Sequence, residues 1–242
     1  MTTVPTYTAA QVAAAERPLI DAGEPLMARA ALALAGIARQ EGITADRGVL
    51  VLAGSGDNGA DALLAGGHLA AAGYQVDAVL TSGRARAHAL ATATARGVRL
   101  RAASDLHPGE HSVIVDGILG IGTTGEPVLR GDARTAVAAL LPAVRVGRAH
   151  VVAVDLPSGL HPDTGAVADD LVLPATVTAT FGAVKAGLAL GRGPELAGIV
   201  VFVDIGLDMS GTEPVGVAEV DEILVAREPS AGVALDEGPQ HP

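Results

Sequence analysis

Between residues 49 and 203 the chain carries short runs that are apolar at nearly every position, not at alternate ones. Val49–Ala53 reads VLVLA, and comparable runs lie at Gln75–Leu80, Ser112–Asp116, Ala149–Asp155 and Ile199–Val203, while Thr176–Thr180, which interleaves Thr with Val and Ala, reads as a further strand. A strand apolar on consecutive positions has both of its faces buried. Between these runs lie helical stretches at 59–72, ending near Gly73, at 84–96, stopped by Gly97, and at 131–141, closed by Pro142. Val98–Arg101 reads as a further short strand, and no long helix is expected between 180 and 199. Alternation of this kind predicts an α/β fold with a mostly parallel central sheet covered by helices.

Two helices are expected ahead of the sheet. Thr8-Ala9-Ala10-Gln11 is a capping box opening a helix to about residue 21. Gly23 ends it, and Pro25 suits the first position of a second helix running to about Gln40. The small-residue stretch Leu26–Ile37 suits packing either on the sheet or on a second subunit. Residues 226–242, with Pro229, Gly232, Gly238, Pro239 and Pro242, read as a disordered tail behind a single domain over 1–225.

Composition excludes several functions. The formal charge is -11, against nonspecific nucleic-acid binding, so an anionic substrate must be held by local donors. There is no cysteine, which removes disulfides and thiol chemistry. The start has no signal-peptide pattern and no stretch is long and apolar enough to span a bilayer, so a cytoplasmic protein without membrane attachment is expected. Aromatic residues are only 2%, so the core must be built from Ala, Val, Leu and Ile. Lys185 is the only lysine, in a chain whose other basic residues are arginines. It reads either as a chance survivor on the surface or as a residue kept for chemistry arginine cannot do.

Ligands of parallel sheets bind beyond the carboxyl ends of the strands. Four segments fall there. The first, Gly54-Ser55-Gly56-Asp57-Asn58-Gly59-Ala60-Asp61, satisfies the dinucleotide fingerprint G-x-G-x-x-G in a strand–loop–helix context. With Asp77 downstream, it raises the alternative of an NAD-dependent oxidoreductase. Asp77, however, sits inside a strand pattern, and Asp57 and Asp61 would repel a pyrophosphate, whereas their oxygens suit a cation. The second, Asp116 through Gly125, is another glycine-rich strand exit able to form an anion nest. The third, Asp155-Leu156-Pro157-Ser158-Gly159, lacks the nucleophile elbow of a serine hydrolase. His161 is expected to be a loop histidine, and the single Asp163-Thr164-Gly165 lacks the second copy an aspartic protease needs. The fourth, Phe181 through Gly187, places Lys185 on a glycine-flanked loop as a phosphate donor or general acid.

In this order and spacing the segments resemble the NAD(P)H-hydrate epimerase family, the N-terminal module of bifunctional nicotinamide nucleotide repair enzymes. The family's G-N-N-G-G-D appears as Gly56 through Asp61. Its D-x-x-x-G-x-G appears as Asp116 through Gly122, and its V-D-x-P-S-G with a later glycine as Val154 through Gly165. Its F-G-x-x-K appears as Phe181 to Lys185, and its D-I-G as Asp204-Ile205-Gly206. The match covers roughly residues 8–207.

The resemblance implies a Rossmann-like three-layer α/β/α fold and interconversion of the two C6 epimers of hydrated NADH or NADPH, which serves a stereospecific dehydratase. It implies a potassium ion held by Asn58, Asp116 and Ser158. It implies substrate contacts from Asp57, Asn58, Gly59, Ala60 and Asp61, from Gly120, Ile121, Gly122, Thr123, Thr124, Gly125 and Glu126, and from Asp155. It also suggests a homodimer. Asp155 is the candidate acid/base, with Lys185 as its partner or as a phosphate contact. Asp155→Asn is expected to stop epimer exchange while leaving the fold intact. Two positions depart from the family pattern: Asp57 replaces an asparagine and Ala60 a glycine. Ala60 requires a negative φ, which a first-turn helical position supplies. Retained activity is expected, with a degenerate nucleotide-binding module as the non-catalytic alternative.

Overall fold

The computed structural model describes residues 1–122 and 125–226. The chain opens with a strand, β1 (Thr2–Tyr7), followed by α1 (Ala9–Asp21) and α2 (Leu26–Gln40). Then come β2 (Val49–Ala53), α3 (Asp57–Ala71), β3 (Val76–Leu80), α4 (Ala87–Ala95), β4 (Arg99–Leu100), β5 (Val113–Gly117), α5 (Gly131–Arg145), β6 (His150–Val154) and β7 (Val177–Phe181). The chain continues through β8 (Val184–Lys185), α6 (Gly193–Leu196), β9 (Ile199–Asp204), β10 (Gly216–Val220) and β11 (Glu222–Val225).

Eight strands form one parallel sheet in the order β11-β9-β7-β6-β5-β2-β3-β4. Side chains alternate faces along each strand. Val49, Val51 and Ala53 join Val113, Val115, Val152 and Val154 on the face covered by α2, α3 and α4. Leu50, Leu52, Ile114 and Val151 join the opposite face, under α5. The chain runs outward from β2 through β3 to β4, then returns to lay β5 on the other side of β2. The crevice above β2 and β5 is therefore the switch point where such sheets bind ligands.

The expected α/β architecture is present, with three differences. The two leading helices are preceded by β1, which pairs antiparallel with β10 and parallel with β8 in a separate three-stranded sheet. The helix expected to close at Pro142 continues to Arg145 with Pro142 inside it. The loss of one backbone hydrogen bond there is offset by burial of Leu140, Leu141 and Ala143. The helix expected from 59 begins two residues earlier, at Asp57, so the substituted Ala60 sits in its first turns, fully buried. The buried face of α2 packs into the core around α3 and the sheet, the first of the two placements its small residues suit. Thr123, Thr124 and all but the first residue of the tail expected over 226–242 lie outside the described residues.

Candidate functional site

Three turns meet above β2 and β5. β2 pairs with β5 so that Leu52 stands beside Asp116 and Ala53 beside Gly117. The glycine loop then crosses directly over the exit of β5: the Gly54 N–H donates to the Gly117 carbonyl at 3.0 Å. A Cβ on Gly54 would lie 1.9 Å from the Ile118 carbonyl oxygen, so only glycine fits. From the first turn of α3, the Asn58 amide donates to the carbonyls of Leu119 (3.2 Å) and Val154 (2.7 Å), tying all three loops together.

Asp116 and Ser158 complete this knot. The Ser158 N–H donates to Asp116 Oδ2 at 2.9 Å, and the Leu119 N–H donates to Ser158 Oγ at 2.9 Å. Burial pushes the Asp116 carboxyl above its ordinary range, opposed by hydrogen bonds from Ser158 and Ile118. Its donors are hydroxyl and backbone groups, and among the described residues no basic side chain pairs with it. Asn58, Asp116 and Ser158 are thus joined through one hydrogen-bonded knot. The approach is close: a Cβ on Gly120 would sit 2.5 Å from Asn58 Cγ and Oδ1.

The second centre lies at the ends of β6 and β7. Asp155 follows β6 and is the one non-glycine residue with positive φ among those described, at 71°. This backbone is costly outside glycine and is tolerated by Asp and Asn better than by most residues. The twist delivers its carboxylate to buried donors. Thr180 Oγ1 donates at 3.2 Å and the Phe181 N–H at 3.4 Å. Lys185 Nζ forms an ion pair with Asp155 Oδ1 and donates to the Phe181 carbonyl at 2.8 Å. Lys185 is 1% exposed, so the only lysine of the chain is spent on this buried pair rather than on a solvated loop.

Further carboxylates face the pair. Asp61, on α3, is buried and its Oδ1 has no hydrogen-bond partner. Burial drives its carboxyl well above the usual range, and the charges of Asp57, Asp155 and Glu16 push the same way, partly offset by Arg86. Glu16, on α1, is also raised: burial leads, Lys185 opposes, and Asp155 and Asp57 add. Sequence reasoning missed Glu16, because one acid on an alanine-rich helix reads as a solvated face. It missed Thr180 as well, which looks like an ordinary strand residue. Asp57 lies at the exposed rim and pairs with Arg86 Nη2 at 2.6 Å.

The remaining site residues are less drawn in. Gly59 packs against Gly54, where a Cβ would lie 2.1 Å from the Gly54 carbonyl oxygen. Ile121 is half-buried and packs against the apolar clusters beside the small sheet. Gly122, Gly125 and Glu126 are exposed, and the Glu126 side chain makes no hydrogen bond or ion pair among the described residues.

Residues set aside at the sequence level have other employment. His161 Nδ1 accepts from the Asp163 N–H at 3.2 Å, and Asp163 accepts from the Ala9 N–H at 2.6 Å at the start of α1. Asp77 sits near the amino end of β3, the opposite edge from the crevice. There Asp77, Glu110 and His111 bring ligand atoms within 4.8 Å of one another. Arg101 Nη1, 3.2 Å from Asp77 and 2.9 Å from Glu110, already occupies the cation position between the carboxylates.

Residues 23–187 match the family described as YjeF-related protein N-terminus. A protein of Microbacterium testaceum named NAD(P)H-hydrate epimerase is 49% identical over 224 residues, covering 91% of this chain and 86% of that protein. One of the same name from Clavibacter michiganensis subsp. michiganensis is 50% identical over 216 residues, 86% of this chain and 93% of that protein. A bifunctional NAD(P)H-hydrate repair enzyme of Mycobacterium tuberculosis is 39% identical over 240 residues, covering 93% of this chain and 46% of that enzyme. In structure, the chain resembles the crystal structure of yeast ynu0 with a TM-score of 0.67 at 20% identity, covering 90% of this chain and 100% of that one. The chain belongs to the YjeF-related N-terminal family, and its closely matching relatives are the NAD(P)H-hydrate epimerases.

Proposed function

We infer that this protein is an isomerase that interconverts the two C6 epimers of hydrated NADH and NADPH. The observation that carries the reading is the buried Asp155–Lys185 pair beside the three-loop knot, in a chain about half identical to proteins named for that activity. C6 of the hydrate bears a hydroxyl next to the ring nitrogen. Protonation of that oxygen expels water and leaves an iminium-like ring. Water then adds to the other face and returns a proton. Asp155 and Lys185 hold the exchangeable proton between Oδ1 and Nζ, so the same pair serves departure and return. Thr180 and the Phe181 backbone keep the carboxylate aimed.

The substrate contacts in this reading are Asp57 to Asp61, Gly120 to Glu126 and Asp155. The ion is potassium, held by Asn58, Asp116 and Ser158. The fit rests on Asp116: a buried carboxylate without a basic partner among the described residues, beside hard oxygen donors, suits an alkali cation. Such an ion would supply positive charge and fix the loops that position the ring. The functional partner is a dehydratase that consumes one epimer, and the reading includes a homodimer in the cytoplasm. Among the described residues, no helix is long and apolar enough to cross a membrane.

One assay tests this. Purified protein is given a single hydrate epimer and the mixture is resolved by chromatography, in potassium or in sodium buffer. Equilibration of the epimers, faster in potassium, is expected. A static epimer ratio in both buffers overturns the reading. Hydride transfer, read at 340 nm as a change in the coenzyme, would instead favour the oxidoreductase alternative.

A further inference from the structure

The strand order β4-β3-β2-β5-β6-β7 is the 3-2-1-4-5-6 arrangement of dinucleotide-binding sheets. In that arrangement the exit of the strand next to the glycine-loop strand reads the adenosine ribose. An acid there accepts the 2′-hydroxyl, and an arginine accommodates a 2′-phosphate. Here that strand is β3, and its exit reads Thr81-Ser82-Gly83-Arg84-Ala85-Arg86, with no acid.

The loop is firmly set. Thr81 donates both its N–H (2.9 Å) and its hydroxyl (3.0 Å) to the Ala53 carbonyl at the end of β2. Gly83, at φ 71°, turns the chain, with its N–H on the Leu80 carbonyl at 3.0 Å. Ser82 Oγ donates to the Arg84 carbonyl at 3.1 Å. Arg86 precedes α4 and leans over the first turn of α3 to reach Asp57. Arg84 is exposed, and its side chain makes no ion pair or hydrogen bond among the described residues. The buried Asp61, whose Oδ1 has no hydrogen-bond partner, feels the charges of both Arg86 and Asp155.

We propose that Arg84 and Arg86 form a phosphate clamp for the 2′-phosphomonoester of the coenzyme, so that the protein favours hydrated NADPH over hydrated NADH. The proposal rests on the substrate class inferred above. In a chain of formal charge -11 a dianion needs local cations. Lys185 is committed to Asp155, which leaves arginines for the task. The Arg86–Asp57 pair is solvent-exposed at both ends and therefore weak. It exchanges readily for a phosphate, which guanidinium grips with two hydrogen bonds. Asp57, one of the two departures from the family pattern, is on this account the residue that keeps Arg86 poised over the crevice.

The test compares the wild-type protein with Arg84→Ala/Arg86→Ala, both positions being exposed and outside the core. Binding of NADP⁺ and NAD⁺ is measured by calorimetry, and epimer exchange with both hydrates by chromatography. The wild-type protein is expected to bind NADP⁺ about tenfold more tightly than NAD⁺, and the double variant to lose that ratio. The kcat/KM ratio for hydrated NADPH over hydrated NADH should fall likewise, through KM. Equal binding by the wild-type protein, or a parallel loss for both coenzymes in the variant, overturns the clamp; a parallel loss would place the contact on the shared diphosphate. If neither hydrate is turned over, the epimerase reading fails, and calorimetry still decides the clamp.

Discussion

Asp155 shows how much one residue can be asked to do. Its carboxylate accepts from Lys185, Thr180 and the Phe181 backbone, from a left-handed backbone at φ 71°. From sequence, Asp155→Asn is expected to leave the fold intact. The structure changes that expectation. Asparagine tolerates the backbone, but the substitution strands the Lys185 ammonium in the interior, and breaking a buried pair from one side costs about 3–5 kcal/mol. Asp155→Asn is therefore expected to lose epimer exchange by roughly 10²–10⁴-fold and to melt well below the wild-type protein. Asp155→Asn/Lys185→Met, which removes both charges, should recover much of the stability and none of the activity. Thermal melts and the epimer assay read the two effects separately. Near-normal turnover in Asp155→Asn would remove the residue from the mechanism. Asp155 and Lys185 were legible in the sequence because one ends a strand and the other is the sole lysine. Their contact was not. It depends on β8, two residues long, pairing beside β1, and neither strand has an apolar signature.

At the level of elements, β2, β5 and β6 could be read because burial on both faces forces continuous apolar runs. The missed strands lack that mark. β1 is half exposed and contains Pro5, and its partner β10 lies over 200 residues away. β11 is an edge strand with no buried position. The glycine loops were visible as glycine loops, but not which glycine is irreplaceable, because that depends on what faces it. Gly54 faces the Ile118 carbonyl, which the strand pairing holds in place. Gly120 faces the Asn58 amide, the end of a movable side chain. Gly54→Ala is thus expected to yield little folded protein. Gly120→Ala should fold, with a modest fall in melting temperature, while Asn58 is displaced and more potassium is needed for half-maximal rate. A Gly120→Ala protein with an unaltered potassium response would separate Asn58 from the ion.

The whole molecule is acidic, and its carboxylates divide into two populations with opposite effects on stability. Asp77 is buried, which alone would raise it, but hydrogen bonds from His111 and Arg99 outweigh burial and hold it below its ordinary 3.8. The unfolded chain binds that proton more readily, so the stabilisation is present above pH 3.8 and is lost as the pH falls through the lower native value. Asp61 behaves in reverse. Its native carboxyl lies well above 3.8, because burial leads and neighbouring acids add. The folded state therefore holds the proton longer, and stability falls as the pH rises from 3.8 to the native value. Asp61→Asn removes that penalty with little change in shape. It is expected to melt above the wild-type protein at pH 7 to 8 and to converge with it near pH 3, with epimer exchange impaired. Asp77→Asn should melt below the wild-type protein at neutral pH and converge with it in acid, with the crevice untouched on the far edge of the sheet. Melting curves of the three proteins from pH 3 to 8 read both signs at once. If Asp61→Asn melts below the wild-type protein at neutral pH, Asp61 is a stabilising group and not a cost the fold bears for its chemistry.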